Sequence, residues 1–456
     1  MGTLEKIYDN SPIFFQNLMV SISGYRNRDS RYGQEYKKHL EFLRNFDQLP
    51  LSEKQNLQIQ FLKEFVNYAN ENSEFYREIY KNIALDKIDS INDLKELPIV
   101  DKEMLRINIK DVVTIDKKKS VEGHTGGTTG KSLVVHYTKQ DMMKRMAMLD
   151  HFKSRVGFEH RRMKRATFNG KHIVPPKQKK KNFWRYNADC KQMVYSSFHL
   201  TEENMKYYVQ SLNKFKPDAL DGFFMSMCDI ASYIERHNIP LNFKPVAIFP
   251  TSETLTDTGR ELLERVFNCK VYDQYASSEG APFITECVNQ NLHIELSSGV
   301  FEVLDEDNEI LVTSFTTHGT PLIRYQIGDS IVLDDTPKCD CGNESPLVTR
   351  IQGRKMDYLL TSEGAKINGG NVANLFKNMP NALIRAQTIQ EKKNEIIILL
   401  EVDKKLYQPE YDKLLKDEFE HKFGLNSIII IKHVDQIARE KSGKYKLIKN
   451  NMKIFN

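Results

Sequence analysis

The segment Gly123-His124-Thr125-Gly126-Gly127-Thr128-Thr129-Gly130-Lys131-Ser132 is the most informative stretch of this chain. Its glycines let backbone N–H groups turn toward a bound anion, while threonine hydroxyls and the Lys131 ammonium add donors and charge. This composition is typical of a loop that holds phosphate groups. The common Gly-x-x-x-x-Gly-Lys-Ser/Thr motif is narrowly missed, because Thr125 stands where that motif has its first glycine. The alternative interpretation is an ordinary glycine turn between two strands.

Length and composition describe a large globular protein. The chain has 456 residues, more than the roughly 250–300 that a single core usually serves, so two or three domains are expected. Apolar residues make up 40% and charged residues 28%, which excludes a disordered chain. No apolar run approaches the ~18 residues of a membrane span, and the N-terminus lacks a signal-peptide core. These features predict a cytoplasmic protein without a membrane span.

The charge balance argues against a nucleic-acid partner. The chain carries 66 basic and 61 acidic residues, which leaves a net charge of +5. A basic run from His160 to Lys191 is the local exception, and its Lys177–Lys181 cluster is interpreted as a solvated loop. The alternative is a positive collar for an anionic substrate or nucleotide.

Apolar spacing predicts a helical N-terminal region followed by an α/β core. Over Glu53–Asn82, apolar residues recur at close to helical intervals. A buried strand over 246–249, an amphipathic helix over Leu255–Phe267 and a strand from Lys270 form a β-α-β unit, which implies parallel strands. A β-hairpin is expected over Phe301–Phe315.

A second, smaller domain is predicted after Gly353. Strand Glu395–Val402, helix Pro409–Phe423 and strand Ser427–Lys432 form another β-α-β layer. We therefore expect an α/β protein with a large N-terminal domain of residues 1–353, built from several layers of sheets and helices. Residues 354–456 are expected to form a small, mobile α+β domain.

Three polar segments have the chemistry to bind a nucleotide, and the first two follow predicted strands. Ser252-Glu253-Thr254 could hold a purine edge, and Tyr275-Ala276-Ser277-Ser278-Glu279-Gly280 offers an aromatic face, hydroxyls and a carboxylate. Ligands of open α/β sheets bind at the carboxyl ends of strands, where both segments fall. Tyr325-Gln326-Ile327-Gly328-Asp329 supplies a carboxylate suited to a ribose diol. Each segment alone is also typical of a turn.

Together and in this order, the segments resemble the superfamily of adenylate-forming enzymes, which includes acyl-CoA ligases, luciferases and peptide-synthetase adenylation domains. The similarity runs from about Phe46 to Lys449. It is greatest to the phenylacetate–CoA ligase branch, especially its CapK-like members and the synthetases that adenylylate a deazaflavin coenzyme. Phe168–Pro175 and Phe183–Asn187 look like that sub-branch in particular.

The resemblance implies ATP and Mg²⁺ as cofactors and assigns nucleotide-binding roles. The glycine-rich loop would cover the β- and γ-phosphates with Thr125, Gly126, Gly127, Thr128, Thr129, Gly130 and Lys131. The adenine would be framed by Ser252, Glu253 and the Tyr272–Tyr275 segment, of which Tyr275 is the named binding residue. The ribose would be bound by Asp329 and Arg350.

Two residues are implied to act in catalysis. Glu279 would help hold Mg²⁺, and Lys444, in Lys441-Ser442-Gly443-Lys444, would be the catalytic lysine. One position departs from the family pattern, since Met356 stands where relatives usually carry the hinge aspartate, with Asp357 directly after it. This indicates either a hinge shifted to Asp357 or a rotation of the C-terminal domain that is modified or absent.

Four residues form a pattern typical of a metal site. Three thiols and an imidazole suit a closed, structural Zn²⁺ site, and the phenylacetate–CoA ligase branch has a similar cysteine pattern. They are Cys287, His293, Cys339 and Cys341. Scattered buried thiols beside a hydrogen-bonded histidine are the alternative. The other cysteines, Cys190, Cys228 and Cys269, are interpreted as reduced core residues.

The function implied by the resemblance is that of an AMP-forming ligase. It would activate a carboxylic acid as acyl-AMP, release pyrophosphate and pass the acyl group to CoA or another acceptor, in polysaccharide or secondary-metabolite biosynthesis. A homodimer is a candidate assembly. The alternatives are an adenylyltransferase that makes an AMP conjugate of a hydroxyl-bearing coenzyme, and a non-catalytic, zinc-stabilised binding protein. A P-loop kinase is disfavoured, because Leu133–Tyr137 resembles a strand where that fold requires a helix.

Overall fold

The structure is a computed structural model that describes residues 3–124, 133–171, 173–175, 178, 180–304, 308–334, 339–354, 358–361, 366–368, 372, 375–376, 379, 382–424, 426–440 and 446–452. The chain divides into two units. The first unit comprises residues 1–22, 161–271 and 352–456, and the second comprises residues 23–160 and 272–351. Within the described ranges, no helix has both the length and the apolarity that a bilayer crossing requires.

Helices dominate the first 120 residues, as the apolar spacing predicts. The α-helices are α1 (Thr3–Asn10), α2 (Ile13–Arg26), α3 (Arg28–Arg31), α4 (Gln34–Asp47), α5 (Leu51–Asn72), α6 (Glu74–Tyr80), α7 (Lys102–Ile107), α8 (Ile109–Val112), α9 (Lys139–Arg155), α10 (Glu202–Phe215), α11 (Phe224–Arg236), α12 (Asp257–Phe267) and α13 (Glu410–Phe423).

The strands begin only after this helical region. They are β1 (Val121–His124), β2 (Val134–Tyr137), β3 (Arg165–Asn169), β4 (Trp184–Asn187), β5 (Gln192–Ser196), β6 (Ala219–Phe223), β7 (Ala247–Thr251), β8 (Lys270–Val271), β9 (Gln274–Tyr275), β10 (Ile284–Glu286), β11 (Leu292–Ile294), β12 (Gly299–Val303), β13 (Glu309–Ser314), β14 (Tyr325–Asp334), β15 (Leu347–Arg354), β16 (Tyr358–Leu360), β17 (Lys366–Asn368), β18 (Leu383–Lys392), β19 (Glu395–Val402), β20 (Ile428–His433) and β21 (Ile448–Asn450).

The second unit is organised around a seven-stranded sheet. Its strand order is β12-β13-β14-β15-β11-β10-β9. The antiparallel pairing of β12 with β13, with Phe301 opposite Val312, confirms the predicted hairpin. Helix α5 packs its buried face on this sheet, where Leu62 and Phe65 join the core and the Gln58 side-chain amide donates to the Gly299 carbonyl at 2.7 Å. A separate antiparallel hairpin, β1–β2, completes the unit.

The first unit contains a six-stranded sheet of order β4-β5-β3-β6-β7-β8. All neighbours from β5 to β8 are parallel, and only β4, at the edge, is antiparallel. The predicted β-α-β unit is therefore confirmed as β7–α12–β8, with Leu263 and Phe267 of the helix buried. The helix begins at Asp257, two residues later than predicted, because the Thr256 hydroxyl caps it by accepting from the Gly259 N–H.

The C-terminal part of the first unit forms a four-stranded sheet of order β20-β19-β18-β21. Strands β19 and β20 are parallel and joined by α13, so the second predicted β-α-β layer is confirmed. Helix α13 buries Leu415, Phe419 and Phe423 against this sheet. The α/β fold class with its C-terminal domain is thus as expected, while the boundary at residues 353 and 354 stays a prediction.

A buried network of ion pairs within the first unit links α11 to this C-terminal sheet. Asp229 on α11 accepts from Arg385 of β18 at 2.7 Å and from Arg439 at 2.8 Å. Arg385 also pairs with Glu401 of β19 at 3.1 Å. The side chains of Asp229 and Arg385 are 2% and 1% exposed, so neither charge is compensated by solvent. Stability of this packing therefore depends on the completeness of the network.

Asp229→Ala should destabilise the protein strongly, because it leaves two buried guanidinium groups without this carboxylate. Breaking one partner of a buried pair typically costs about 3–5 kcal/mol. The urea midpoint of unfolding, followed by circular dichroism, measures the loss. Asp435→Ala is the matched control, since Asp435 pairs with Lys404 on the surface, where both side chains are exposed. Equal midpoints for the two variants would contradict the role assigned to the network.

Candidate active site

The hairpin that flanks the glycine-rich loop is held against the segment Tyr275–Gly280. Strands β1 and β2 pair up to His124 and Val134, on either side of that loop. From β2, the Tyr137 hydroxyl donates to the Ser278 carbonyl at 2.9 Å. From β1, a Cβ atom on Gly123 would lie 2.7 Å from the same carbonyl oxygen, so this approach requires glycine. Two segments that sequence analysis singled out are therefore in contact.

Two tyrosine–carboxylate hydrogen bonds join the segment Tyr275–Gly280 to strand β14. The Tyr325 hydroxyl donates to the Glu279 carboxylate at 2.7 Å, and the Tyr275 hydroxyl donates to the Asp329 carboxylate at 2.7 Å. Glu279 is only 4% exposed, so its carboxylate depends on such donors for its orientation. The second unit thus brings together the β1–β2 hairpin, Glu279 with Tyr275, and Asp329.

Arg145 of α9 supports the turn that follows Glu279. Its Nη1 donates to the carbonyls of Gly280 and Ala281 and to the Thr316 hydroxyl, each at 3.0 Å. Its guanidinium also lies 4.5 Å from the centroid of the Phe283 ring. Burial lowers the pKa of Arg145. We infer that Arg145 positions the turn, a role that sequence analysis missed because nothing in the local pattern distinguishes a buried arginine from a solvated one.

Arg350 lies on β15, the neighbour of β14, which carries Asp329. The Arg350 side chain is exposed. The strand order therefore places Arg350 and Asp329 on adjacent strands of one sheet. Their joint role at the ribose stays a prediction.

Ser252 and Glu253 belong to the first unit and directly follow β7, at its carboxyl end. Ser252 adopts a left-handed conformation, with φ of 69°, which turns the chain sharply after the strand. The Glu253 carboxylate accepts from the Met225 N–H at 2.8 Å, in the first turn of α11. Glu253 thereby satisfies one of the unpaired N–H groups at a helix N-terminus. Its predicted role at the adenine stays untested.

The four predicted metal ligands converge. The Sγ atoms of Cys287, Cys339 and Cys341 and a ring nitrogen of His293 all lie within 4.8 Å of one another. Cys287 and Cys339 have their sulfurs 3.7 Å apart, and Cys341 Sγ is 3.5 Å from His293 Nε2. Ligands about 2.3 Å from a tetrahedral ion are about 3.8 Å apart, so these separations fit a single zinc ion. They exceed the ~2.05 Å of a disulfide bond, and all six cysteines are free thiols.

Backbone and side-chain groups orient three of the four ligands. His293 Nδ1 lies 3.1 Å from the Ser345 carbonyl, which leaves Nε2 directed at the cluster. The Asn291 amide donates to Cys339 Sγ at 3.2 Å, and the Asn343 N–H donates to Cys341 Sγ at 3.4 Å. Burial lowers the pKa of His293 and so favours the neutral imidazole that a metal requires.

Several predicted residues lie outside the described part of the chain. These are the loop Thr125–Lys131, the catalytic candidate Lys444, and Met356 with Asp357 at the predicted hinge. Their roles stay predictions.

Comparisons with known proteins identify the family. Residues 359–451 match the family model described as the CapK C-terminal domain. The chain is 40% identical over 455 residues to Protein CapK from Staphylococcus aureus, a match that covers 99% of this chain and 100% of that one. It is 23% identical over 399 residues to a phenylacetate–coenzyme A ligase from Thermus thermophilus, covering 81% and 86% of the two chains.

A solved structure has the same fold. It is a 2-hydroxyisobutyryl-CoA ligase, 16% identical in sequence, which matches with a TM-score of 0.72 over 89% of this chain and 91% of that one. The resemblance inferred from the motifs is therefore confirmed. On the evidence of its full-length similarity to Protein CapK, the chain belongs to the CapK family, within the superfamily of adenylate-forming, AMP-forming ligases.

Proposed function

We propose that this protein uses Mg·ATP to activate a carboxylic acid as acyl-AMP, releases pyrophosphate, and passes the acyl group to CoA or another acceptor. The observation that carries the proposal is the convergence of three segments within the second unit. Tyr137 binds the backbone of Ser278, and Tyr325 and Tyr275 bind the carboxylates of Glu279 and Asp329. A phosphate-binding loop, a metal-binding carboxylate and a ribose-binding carboxylate are the groups that a bound ATP requires together.

Each group in the proposed site has a distinct task. Glu279 supplies a hard carboxylate oxygen of the kind that Mg²⁺ prefers, and Tyr325 fixes the direction of that carboxylate. Asp329 is suited to accept hydrogen bonds from the ribose hydroxyls, with Arg350 on the adjacent strand. The residues Thr125–Lys131 would hold the departing β- and γ-phosphates through backbone N–H groups.

Negative charge develops during the adenylation step, and cations would stabilise it. The carboxylate of the acid attacks the α-phosphorus in line, the bond from the α-phosphorus to the β-phosphate oxygen breaks, and pyrophosphate leaves. Negative charge accumulates on the oxygens of the transferring phosphoryl group. The Lys444 ammonium, together with the positive charge that Mg²⁺ supplies, would stabilise it. Preorganised contacts of this kind act mainly on the transition state and so raise kcat.

The acceptor of the acyl group is proposed from the names of two similar ligases. The phenylacetate–coenzyme A ligase and the 2-hydroxyisobutyryl-CoA ligase are both named for a CoA product. CoA is therefore the first acceptor to test. The basic run from His160 to Lys191 has the charge to bind the CoA phosphates, or a bulky anionic acceptor such as a nucleotide-sugar.

Pyrophosphate release from Mg·ATP, measured across a panel of aryl, amino and sugar acids, tests the proposed reaction. We expect release to depend on one class of acid, because pyrophosphate leaves only when a carboxylate attacks the α-phosphorus. Parallel assays with CoA then show whether the acyl-AMP turns over to a thioester. If ATP binds but no acid causes pyrophosphate release, the proposal of a carboxylic acid substrate is wrong. A non-carboxylate acceptor of AMP, such as a phenolic hydroxyl, would then be favoured.

Lys444→Ala should slow adenylation about a hundred- to a thousandfold while leaving ATP binding largely intact, because the ammonium acts on charge that appears in the transition state. Single-turnover formation of acyl-AMP and equilibrium ATP binding separate the two effects. Lys432→Ala removes an exposed cation from β20 and is the matched control, for which we expect the wild-type rate. Near-normal turnover of Lys444→Ala would refute its assignment.

We also propose that Cys287, His293, Cys339 and Cys341 hold one structural Zn²⁺ ion. Four protein ligands leave no open position for substrate, which distinguishes this site from a catalytic one. The ion would join the β10 and β11 strands to the loop over 339–345. That loop contacts α5, since the Lys54 ammonium donates to Asn343 at 3.0 Å.

Purified protein should contain about one zinc per chain, and Cys341→Ser should lose most of it and melt at a lower temperature, because the ion stabilises the folded state. Mass-spectrometric metal analysis after thorough desalting measures the content, and calorimetry measures the melting temperature. Cys269→Ser alters a free thiol outside the cluster and should keep both values. Wild-type protein with far less than one zinc per chain would contradict the proposed structural zinc site.

A further inference from the structure

Helix α2 presents three polar side chains, Gln16, Asn17 and Ser21, to the protein. Gln16, which is 2% exposed, accepts from the Arg185 Nε at 2.6 Å. Asn17 accepts from the Tyr186 N–H at 2.9 Å, and Ser21 accepts from the Ala188 N–H at 3.0 Å. An ordinary surface helix has the opposite arrangement, with its apolar side chains inward.

The sheet explains why the polar side of α2 must face inward. Strand β4 is at the edge of the six-stranded sheet, and within the described part of the chain its outer backbone groups have no strand partner. Asn17 supplies a partner within the strand by accepting from the Tyr186 N–H, and Ser21 accepts from the Ala188 N–H directly after the strand. Rotating α2 to bury its apolar side would break these bonds. The orientation of the helix is therefore fixed by hydrogen bonding.

The opposite side of α2 is apolar and exposed. The exposed fractions of Phe14, Phe15, Leu18 and Ile22 are 73%, 54%, 44% and 43%. Positions 14, 18 and 22, and positions 15, 18 and 22, are spaced by three or four residues, so these side chains form one stripe along the helix. We call these four residues the α2 apolar face.

We propose that the α2 apolar face is a self-association surface, which packs against the same face of a second copy of this chain. The spacing of the stripe is that of a helix–helix seam, in which two such helices interlock. A two-fold axis through the stripe would pair the face with itself, so no other complementary surface is needed. The chain itself is also the one partner guaranteed to carry a matching face at equal concentration.

The area of the face is compatible with a dimer. The two phenylalanines alone leave roughly 200–300 Å² of ring surface uncovered, and Leu18 and Ile22 extend it. A standard interface takes about 800 Å² from each partner, so the stripe would form its apolar centre with polar groups around it.

Charge argues for a protein partner over a lipid surface. Helices that lie on membranes carry Lys and Arg on the polar side, toward the head groups. From Ser11 to Ile22 this chain has no charged residue, and the polar side of α2 is occupied by β4. The one charged residue of α2, Arg26, is its last residue, so the stripe itself is neutral and suits an apolar helix–helix interface.

Sedimentation velocity of the full chain over a micromolar concentration series tests the proposal. We expect wild-type protein to be a dimer. Leu18→Asp should be monomeric, with a dissociation constant raised at least about thirtyfold, because a charge would be buried at the centre of the interface. Phe15→Ser shortens the stripe without adding charge and should weaken the dimer in the same direction.

Ile107→Asp is the matched control, since Ile107 is an equally large exposed side chain, 67% exposed, that belongs to the second unit and not to α2. It should remain dimeric. Wild-type protein that is monomeric throughout the series would overturn the proposal, and so would a Leu18→Asp protein that remains dimeric with an unchanged constant. Flotation with phosphatidylcholine–phosphatidylglycerol vesicles tests the alternative that the α2 apolar face binds a lipid surface. Monomeric wild-type protein that floats with the vesicles, when Leu18→Asp does not, would assign the face to lipid and overturn self-association.

Discussion

The proposed nucleotide site depends on two carboxylates, the buried Glu279 and the half-buried Asp329, that must be supplied with hydrogen-bond donors. Tyr325 and Tyr275 provide donors to Glu279 and Asp329, and each bond crosses from one segment of the second unit to another. Because an unsatisfied buried carboxylate is costly, these bonds do more than orient two side chains. They determine how the turn after β9 lies relative to β14. Arg145 stabilises the end of that turn by donating to the carbonyls of Gly280 and Ala281. The Gly123 contact places the glycine-rich hairpin against the same turn.

The same physical rule accounts for the other polar features of the fold. Asp229, Arg385, Glu401 and Arg439 form a buried network in which each charge has a counter-charge within 3.1 Å. The thiols of the Cys287–Cys341 cluster are close enough to require either a shared metal or protonation. At the edge of the six-stranded sheet, α2 satisfies backbone groups at the expense of exposing its apolar face. In each of these features, the need of buried polar groups for hydrogen-bond or charge partners determines the geometry.

Local sequence patterns predicted a large part of the fold correctly. The β7–α12–β8 and β19–α13–β20 units were identified because buried strands and amphipathic helices have distinct periodicities. Strand β18 was missed, since its sequence contains Gln387, Thr388 and Gln390 where a buried strand usually carries apolar residues. Those residues are buried nevertheless, and the Gln387 and Gln390 amides donate to carbonyls of Lys446 and Leu360. Such bonds to distant residues have no local signal.

The sequence by itself determined the family and predicted the candidate site residues and candidate metal ligands, because motif order and residue chemistry are properties of the chain. Cys287, His293, Cys339 and Cys341 could be grouped from their chemistry alone, before any distance was known. Only the tertiary structure decided that Arg145 and Arg385 are buried, that Glu253 binds the start of α11, and which side of α2 faces outward. These outcomes depend on the hydrogen-bond partners that other segments bring to each side chain. Partners so distant along the chain are set by packing, which no local pattern of residues contains.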